Sequence, residues 1–141
     1  MTLMHGTCVA VGEVAVLLCG PSGSGKSDLA LRLIDAGGRL IADDQVALAA
    51  EDGALIGRAP PTIQGVMEAR GLGLVEVPCA AEGRVALVVE LVAPAEVARL
   101  PDPAFREIAG VTLPLLRLAP FECSACAKIH LALKGAIRGQ A

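Results

Sequence analysis

The stretch "GPSGSGKS", residues 20–27, decides the fold class of this protein. It follows the apolar run "VAVLLC" at residues 14–19, and it precedes a segment with leucines at positions 29, 31 and 33. The stretch matches the pattern G-x-x-x-x-G-K-[ST], and a buried strand before it with a helix after it is the context of a phosphate-binding loop. We therefore predict a P-loop-containing α/β domain with a largely β core flanked by helices. A glycine- and serine-rich turn that binds no ligand is the alternative.

The chemistry of this loop follows from its glycines. Glycines at 20, 23 and 25 allow backbone conformations that are closed to other residues, so that successive amides turn inward and, with the helix N-terminus, hold an anion. Lys26 can reach the terminal phosphates of a nucleotide, and the Ser27 hydroxyl can ligate Mg²⁺. A dinucleotide fingerprint is excluded, because G-x-G-x-x-G fails at Asp28. The predicted nucleotide-binding residues are Gly20, Pro21, Ser22, Gly23, Ser24, Gly25, Lys26 and Ser27.

Length and composition limit the class of protein. A chain of 141 residues suits one compact domain, here residues 1–141 as a single P-loop domain. The residues are 54% apolar, but charged residues interrupt every run that approaches the length of a membrane helix. We predict no membrane span and a cytoplasmic location. The five cysteines are expected to be reduced thiols.

Charge and aromatic content argue against nucleic acid as a partner. The formal net charge is −3 and no long basic run occurs, so the field that phosphate backbones require is missing. The chain has two phenylalanines and neither tryptophan nor tyrosine, which removes the stacking surfaces of single-strand binders. The same shortage predicts that a nucleotide base is held by aliphatic side chains and backbone.

Periodicity and turn residues predict alternating strands and helices. We expect a hairpin of strands at 8–11 and 14–19, a helix at 27–36, a short strand at 40–42 and a second hairpin at 45–50 and 54–57. Further along, we expect a loop or short helix at 65–73, a buried strand at 84–92, a short helix at 94–99, an extended segment at 111–118 and a closing helix at 120–137.

An acidic pair, Asp43 and Asp44, ends the predicted strand at 40–42. In a wound α/β sheet this position brings carboxylates near the phosphate-binding loop. Adjacent strand residues point to opposite faces, so both can serve one site only where the strand has already become a loop. We expect one aspartate to be a metal or water ligand and the other a general base. The alternative is that the two aspartates only form a common turn or cap element and have no role in a site.

Four motifs in one order resemble a known family. They are His5-Gly6, "GPSGSGKS", "LIADD" at residues 40–44 and "EARGLGLVEV" at residues 68–77. Together they are similar to the C-terminal catalytic domain of HPr kinase/phosphorylase. The resemblance implies a fold related to phosphoenolpyruvate carboxykinase and an enzyme that phosphorylates a serine of an HPr-like phosphocarrier protein, in regulation of carbon metabolism or the phosphotransferase system. It also implies ATP (or pyrophosphate) as donor, Mg²⁺ as cofactor and a hexamer.

The resemblance also implies roles for single residues. Lys26 and the loop backbone bind phosphates, and Ser27 with Glu68 holds Mg²⁺. Asp44 matches the proton acceptor of the forward reaction and His5 an active-site histidine. Arg99, in "VARLP", matches an active-site arginine of the family.

Two departures from the family pattern leave questions open. The N-terminal domain of longer members is not in this sequence, so we expect any control by that domain to be lost. The family's proline- and arginine-rich segment for phosphorolysis reads "LPLLRLAPFE" at residues 113–122, where Arg117 is the surviving arginine, so phosphorolysis stays open.

Two other functions also stay open. They are a small-molecule kinase with a lid carrying Arg99, Arg106 and Arg117, and a non-catalytic nucleotide-sensing module.

The cysteines are assigned mainly to packing. Cys123, Cys126 and His130 have a spacing that could place three metal ligands on one helix face, but no fourth ligand is evident, and inert thiols are the favoured interpretation. The three cysteines that flank strands are predicted to pack as small hydrophobic residues: Cys8, Cys19 and Cys79.

Overall fold

The structure is a computed structural model that describes residues 1–61 and 64–138. Its helices are α1 (Lys26–Asp35) and α2 (Ala125–Leu133). The strands are β1 (Thr2–His5), β2 (Thr7–Val11), β3 (Val14–Cys19), β4 (Arg39–Ala42), β5 (Gln45–Glu51), β6 (Ala54–Arg58), β7 (Val66–Ala69), β8 (Gly73–Glu76), β9 (Glu82–Leu91), β10 (Ala104–Ile108) and β11 (Val111–Leu118).

Nine of the strands in the described part of the chain form one mixed sheet. Strand β9 lies at its centre, since it pairs in parallel with β3 and β11 and antiparallel with β6. From β9 the sheet continues through β3 and β2 to β4 on one side, and through β6 and β5 to β1 on the other. The parallel pair of β3 and β9 brings the C-terminal ends of two strands to the edge at which the glycine-rich loop begins.

Alternating side chains of β3 divide the interior into two apolar clusters. Leu17 and Cys19 pack with residues of β5, β6, β10 and β11. Val16 and Leu18 point to the other face and pack against both helices. This is the two-residue period of a strand with both faces covered, and it explains why residues 14–19 are a continuous apolar run. The apolar contacts on both faces hold the strand before the loop in place.

Both predicted hairpins are confirmed. Strands β2 and β3 pair antiparallel around Gly12, and β5 and β6 pair around Asp52 and Gly53. Asp52 and Gly53 have φ angles of 52° and 80°, the conformation of the two-residue turn that Asp-Gly favours. The predicted helix at 27–36 and the strands at 40–42, 84–92 and 111–118 are also present, with small shifts in their bounds.

The prediction of a loop or short helix at 65–73 is wrong. Strands β7 and β8 form a separate antiparallel pair there, and Met67 is buried against the cluster that contains α1. The glycines hid the strand pattern, because Gly71 lies in the turn between the two strands and Gly73 is the first residue of β8, and both have positive φ, 93° and 102°. Strands β1 and β10 were not predicted, since each owes its strand conformation to pairing with a longer strand.

Two helix predictions need shortening. The helix expected at 94–99 is a single 3₁₀ turn at Pro94–Glu96. The closing helix expected at 120–137 is α2, which begins only at Ala125 and ends at Leu133, because residues 120–124 form a turn. Over residues 1–61 and 64–138, neither helix has the length and apolar character needed to cross a membrane.

Candidate functional site

The loop at residues 20–27 joins β3 to α1 in the conformation that the glycines predict. Gly23 and Gly25 have φ of 80° and 100°, where a side chain is strained. Gly25 is the N-cap of α1 and has no side chain that could bond the first free amides of the helix. These amides therefore stay available to an anion at the positive end of the helix dipole.

Lys26 is held against this loop. Its side chain is buried, and its Nζ donates hydrogen bonds to the carbonyl oxygens of Gly20 at 2.7 Å and Pro21 at 3.0 Å. An ammonium group has three protons to donate, so a third remains for a phosphate oxygen. The two carbonyls thus aim a positive charge at the space enclosed by the loop.

Asp43 connects the loop to the sheet. One of its oxygens, Oδ1, accepts hydrogen bonds from the Ser27 hydroxyl at 2.9 Å and from the Thr7 hydroxyl at 3.0 Å. Thr7 is fully buried on β2. Thr7 was not among the predicted site residues, although a polar residue just before an apolar strand and just after His5-Gly6 was a signal in the right place.

The oxygen atoms of Ser27 and Asp43 fit Mg²⁺, which prefers a few oxygen ligands and completes its shell with water and substrate phosphate. Among residues 1–61 and 64–138, no group of three or more His, Cys, Asp or Glu side chains could hold a metal by itself. A protein-only metal centre is therefore not formed within these residues. A phosphate-dependent Mg²⁺ site needs fewer protein ligands.

Asp44 points away from Asp43. It has a φ of 70° in the bend between β4 and β5, its side chain is 78% exposed, and its Oδ1 lies 3.5 Å from Nδ1 of His5. The amide of Gly6 donates to the Asp44 carbonyl at 3.0 Å, which fixes this bend against the segment after β1. The two aspartates therefore contact different groups: a loop hydroxyl for Asp43 and an imidazole for Asp44.

Glu68 and Arg99 lie in exposed positions. Glu68 is on β7 opposite Leu74, and its side chain points away from the core that Met67 joins. Arg99 lies between the 3₁₀ turn and β10. The metal role of Glu68 and the catalytic role of Arg99 stay predictions.

A different arginine lies beside the loop. Arg106, half-buried on β10, lines a cavity of about 480 Å³ together with Gly20, Pro21 and Glu90. Burial raises the pKa of the Cys19 thiol at the end of β3, and the charge of Arg106 beside it lowers that pKa in part. Sequence reasoning named Arg106 only as a lid residue of the small-molecule kinase alternative, because no motif marks it.

The cysteines divide by burial. Burial, with a smaller contribution from Cys19, raises the pKa of Cys8 to about 12, so its thiol is inert. Cys79 is exposed, which corrects its prediction as a packed residue, since it follows Pro78 outside any strand. Cys123 is exposed in the turn before α2, and Cys126 is half-buried on the helix. Within the described residues these two do not form a metal centre with His130.

A loop of this geometry after a buried strand, with a lysine and an aspartate directed at it, defines a P-loop nucleotide-binding domain. Comparison with known proteins narrows the class. The family model described as "HPr Serine kinase C-terminal domain" matches residues 1–129. The chain belongs to this family, and the resemblance seen in the sequence is confirmed.

Curated relatives support this assignment over part of the chain. The HPr kinase/phosphorylase of Clostridium beijerinckii is 47% identical over 76 residues, which are 54% of this chain and 25% of the relative. The HPr kinase/phosphorylase 1 of Oceanobacillus iheyensis is 49% identical over 77 residues, with the same two shares of 54% and 25%. The matched part of this chain thus spans about a quarter of the length of these relatives.

A solved structure extends the likeness to almost the whole chain. The Hpr(Ser) kinase/phosphatase from Coxiella burnetii superposes with a TM-score of 0.83 at 26% sequence identity, covering 96% of this chain and 90% of that one. The predicted fold class, a P-loop α/β domain with a β core and flanking helices, is therefore confirmed.

Proposed function

We propose that this domain is an ATP-dependent protein kinase that phosphorylates a serine of a small HPr-like phosphocarrier protein. The observation that carries the proposal is the divergence of two adjacent aspartates at the phosphate-binding loop. Asp43 accepts from the loop hydroxyl of Ser27, and Asp44 lies 3.5 Å from His5. Since neighbouring Cα atoms are about 3.8 Å apart, one carboxylate serves the loop while the other is free to serve an acceptor that approaches from solvent.

The donor side of the reaction rests on the loop and Lys26. The inward amides and the third ammonium proton of Lys26 bind the phosphates of ATP, with pyrophosphate as the alternative donor. Positive charge here stabilises the transferred phosphoryl group more than the ground state, because negative charge shifts onto its oxygens and the leaving group during transfer.

The acceptor side rests on Asp44. Its exposed carboxylate accepts the proton of the incoming serine hydroxyl, which leaves the oxygen able to attack the γ-phosphorus in line with the departing ADP. The imidazole of His5 orients this carboxylate through their 3.5 Å contact. Arg99 is the family's candidate for a further positive group, and Arg106, beside Gly20, is a second candidate that the cavity supports.

Magnesium fits the same site. Ser27 and Asp43 would hold Mg²⁺, with Glu68 as the family's additional candidate, and the ion would neutralise charge on the phosphates. By resemblance to its family, the domain works as a hexamer in the cytoplasm. Phosphorolysis has less support than the kinase reaction. Arg117, the surviving arginine of the segment that the family needs for phosphorolysis, forms an ion pair with Glu90, with 3.5 Å between its Nε and the carboxylate.

The test is transfer from Mg-ATP to an HPr-like phosphocarrier protein, with phosphoserine detected by mass spectrometry. Asp44→Asn should lower the transfer rate by roughly 10²- to 10⁴-fold, the usual contribution of a general base. ADP affinity in the same variant should stay within about twofold, because Asp44 is not part of the loop.

Asp52→Asn is the matched control. Asp52 is an exposed aspartate in the β5–β6 turn. Its φ of 52° is positive like the φ of 70° at Asp44, and asparagine tolerates positive φ at both positions. The control should transfer phosphate at the wild-type rate. Wild-type turnover in Asp44→Asn would contradict the base assignment. A labelled metabolite instead of a labelled protein would favour the small-molecule kinase, and nucleotide binding without any transfer would favour the sensing module.

A further inference from the structure

A phenylalanine from the far end of the chain lies against the phosphate-binding loop. Phe121 follows β11, and its ring packs so closely on Gly25 that a Cβ added to the glycine would lie 3.0 Å from Phe121 Cζ. Yet the side chain of Phe121 is 71% exposed. One edge of the ring therefore contacts the loop, while most of its surface is open.

The open side of this ring borders a cavity of about 460 Å³. The walls come from the loop, from the end of β9 and the residues after it, and from the turn before α2. They include Pro21, Ser24, Leu91, Ala93, Pro120 and Phe121. Small-molecule sites in proteins have volumes of roughly 300–1,000 Å³ and mostly apolar walls. Because Pro21 and Ser24 belong to both the cavity and the loop, a ligand with phosphates in the loop can extend directly into the cavity.

The turn that carries Phe121 is fastened to the helix that begins in the loop. The Arg32 guanidinium donates to the carbonyl of Pro120 and, at 3.3 Å, to the carbonyl of Glu122. Asp28, one turn earlier on α1, orients that guanidinium through a 3.0 Å ion pair. The backbone on both sides of Phe121 is thus tied to α1, which sets the ring in a fixed relation to the phosphate site.

Packing alone does not account for this arrangement. A ring that is 71% exposed contributes little burial, and apolar groups stabilise a fold roughly in proportion to the area they remove from water. Phe121 is also one of only two aromatic residues in the chain. A rigid, open aromatic face beside a phosphate site is suited to a flat aromatic ligand, since bases stack on such faces.

We infer that the cavity bordered by Phe121 is the base subsite of the nucleotide, and that a purine stacks on the Phe121 ring while its phosphates lie in the loop. This inference rests on the proposed function, since it requires a nucleotide in the loop. It replaces the expectation that the base is held by aliphatic side chains and backbone alone: aliphatic residues form the walls, and one aromatic ring provides the stacking surface.

The experiment compares a nucleotide with a ligand that has no base. Binding of ADP and of tripolyphosphate is measured by calorimetry for the wild type, Phe121→Ala and Phe105→Ala. Stacking of a base on an aromatic side chain corresponds to roughly 5- to 150-fold in affinity, so Phe121→Ala should weaken ADP binding by that factor. Tripolyphosphate should bind Phe121→Ala within about twofold of the wild type. Phe105, 65% exposed on β10, is the matched aromatic control and should change neither affinity.

A second variant reports stacking directly. The chain has no tryptophan or tyrosine, so Phe121→Trp introduces a unique fluorophore. ADP should quench its emission and tripolyphosphate should leave it nearly unchanged, while Phe105→Trp should respond to neither. A loss of tripolyphosphate binding in Phe121→Ala would instead show that the ring supports the loop, and this would overturn the inference.

The binding results distinguish a failure of the base subsite from a failure of the kinase proposal. Wild-type ADP affinity in Phe121→Ala, or an unresponsive Trp at position 121 with ADP bound, overturns the base subsite and leaves the kinase proposal standing. A wild-type domain that binds neither ADP nor tripolyphosphate overturns both.

Discussion

Replacing Thr7 with valine tests whether the buried Thr7 hydroxyl positions Asp43, the aspartate that accepts a hydrogen bond from Ser27 of the loop. The two side chains have nearly the same shape, so Thr7→Val removes the 3.0 Å hydrogen bond to Asp43 without opening a cavity. A hydrogen bond to a charged group contributes about 1.5–3 kcal/mol to stability. Asp43 is half-buried and keeps its 2.9 Å bond from Ser27, so we expect the lower end of that range, about 1.5 kcal/mol.

The assay for Thr7→Val is urea unfolding followed by far-ultraviolet circular dichroism, because a chain without tryptophan or tyrosine has no useful intrinsic fluorescence. A loss of about 1.5 kcal/mol should lower the urea midpoint with an unchanged urea dependence, and thermal unfolding followed by the same signal should show Tm lowered by roughly 5 °C. Thr112→Val is the matched control. It makes the same change at an exposed site on β11 and should stay within about 0.5 kcal/mol of the wild type.

A double-mutant cycle with Asp43→Asn decides whether the cost belongs to this contact. The cost of Thr7→Val should shrink in the Asp43→Asn background, because the charged acceptor is no longer there. If the two substitutions are additive, or if Thr7→Val is as stable as Thr112→Val, the hydroxyl does not position Asp43. Thr7 would then have no part in holding the Asp43 carboxylate beside Ser27.

Two further predictions concern the loop glycines and the thiols. Gly25→Ala should destabilise the fold by about 2–4 kcal/mol, since it combines a strained φ with tight contacts of 3.0–3.2 Å to Phe121 and Pro120. Gly23→Ala should cost about 1–2 kcal/mol, because Gly23 has a positive φ but open space where a Cβ would lie. Both costs are measured by urea unfolding. Equal costs for the two substitutions would refute the close packing of Phe121 on Gly25. At pH 8, iodoacetamide should label the exposed Cys79 and leave Cys8 unlabelled, as found by mass spectrometry of the native protein. A pKa of about 12 leaves Cys8 as thiolate in only about one molecule in ten thousand, and a comparable labelling rate would contradict its burial.

The hairpins show where sequence reasoning succeeds. Asp52 and Gly53 form the predicted two-residue turn, because their preference for positive φ is a property of the residues themselves. The segment at 65–73 shows where it fails. Met67 is buried and Glu68 exposed, as in a strand, but the density of glycines suggested a loop, and pairing of β7 with β8 decided the outcome.

The candidate site divides in the same way. Lys26 and Ser27 were identified from spacing, because both lie within the loop. The role of Asp43 was left open between the two aspartates, since it depends on which side chain the bend after β4 turns toward Ser27. Thr7 escaped notice altogether, because it meets Asp43 only through the pairing of β2 with β4.

The sequence by itself determined the loop, the strand before it, the helix after it and the family, since these depend on local backbone preferences and on residues close together in the chain. Only the tertiary structure decided which groups surround the loop. Thr7 arrives through a neighbouring strand, Arg106 from a strand that owes its place to pairing, and Phe121 from the turn that Arg32 fastens to α1. Contacts between distant parts of a chain depend on how strands pair and helices pack, and no short motif encodes that arrangement.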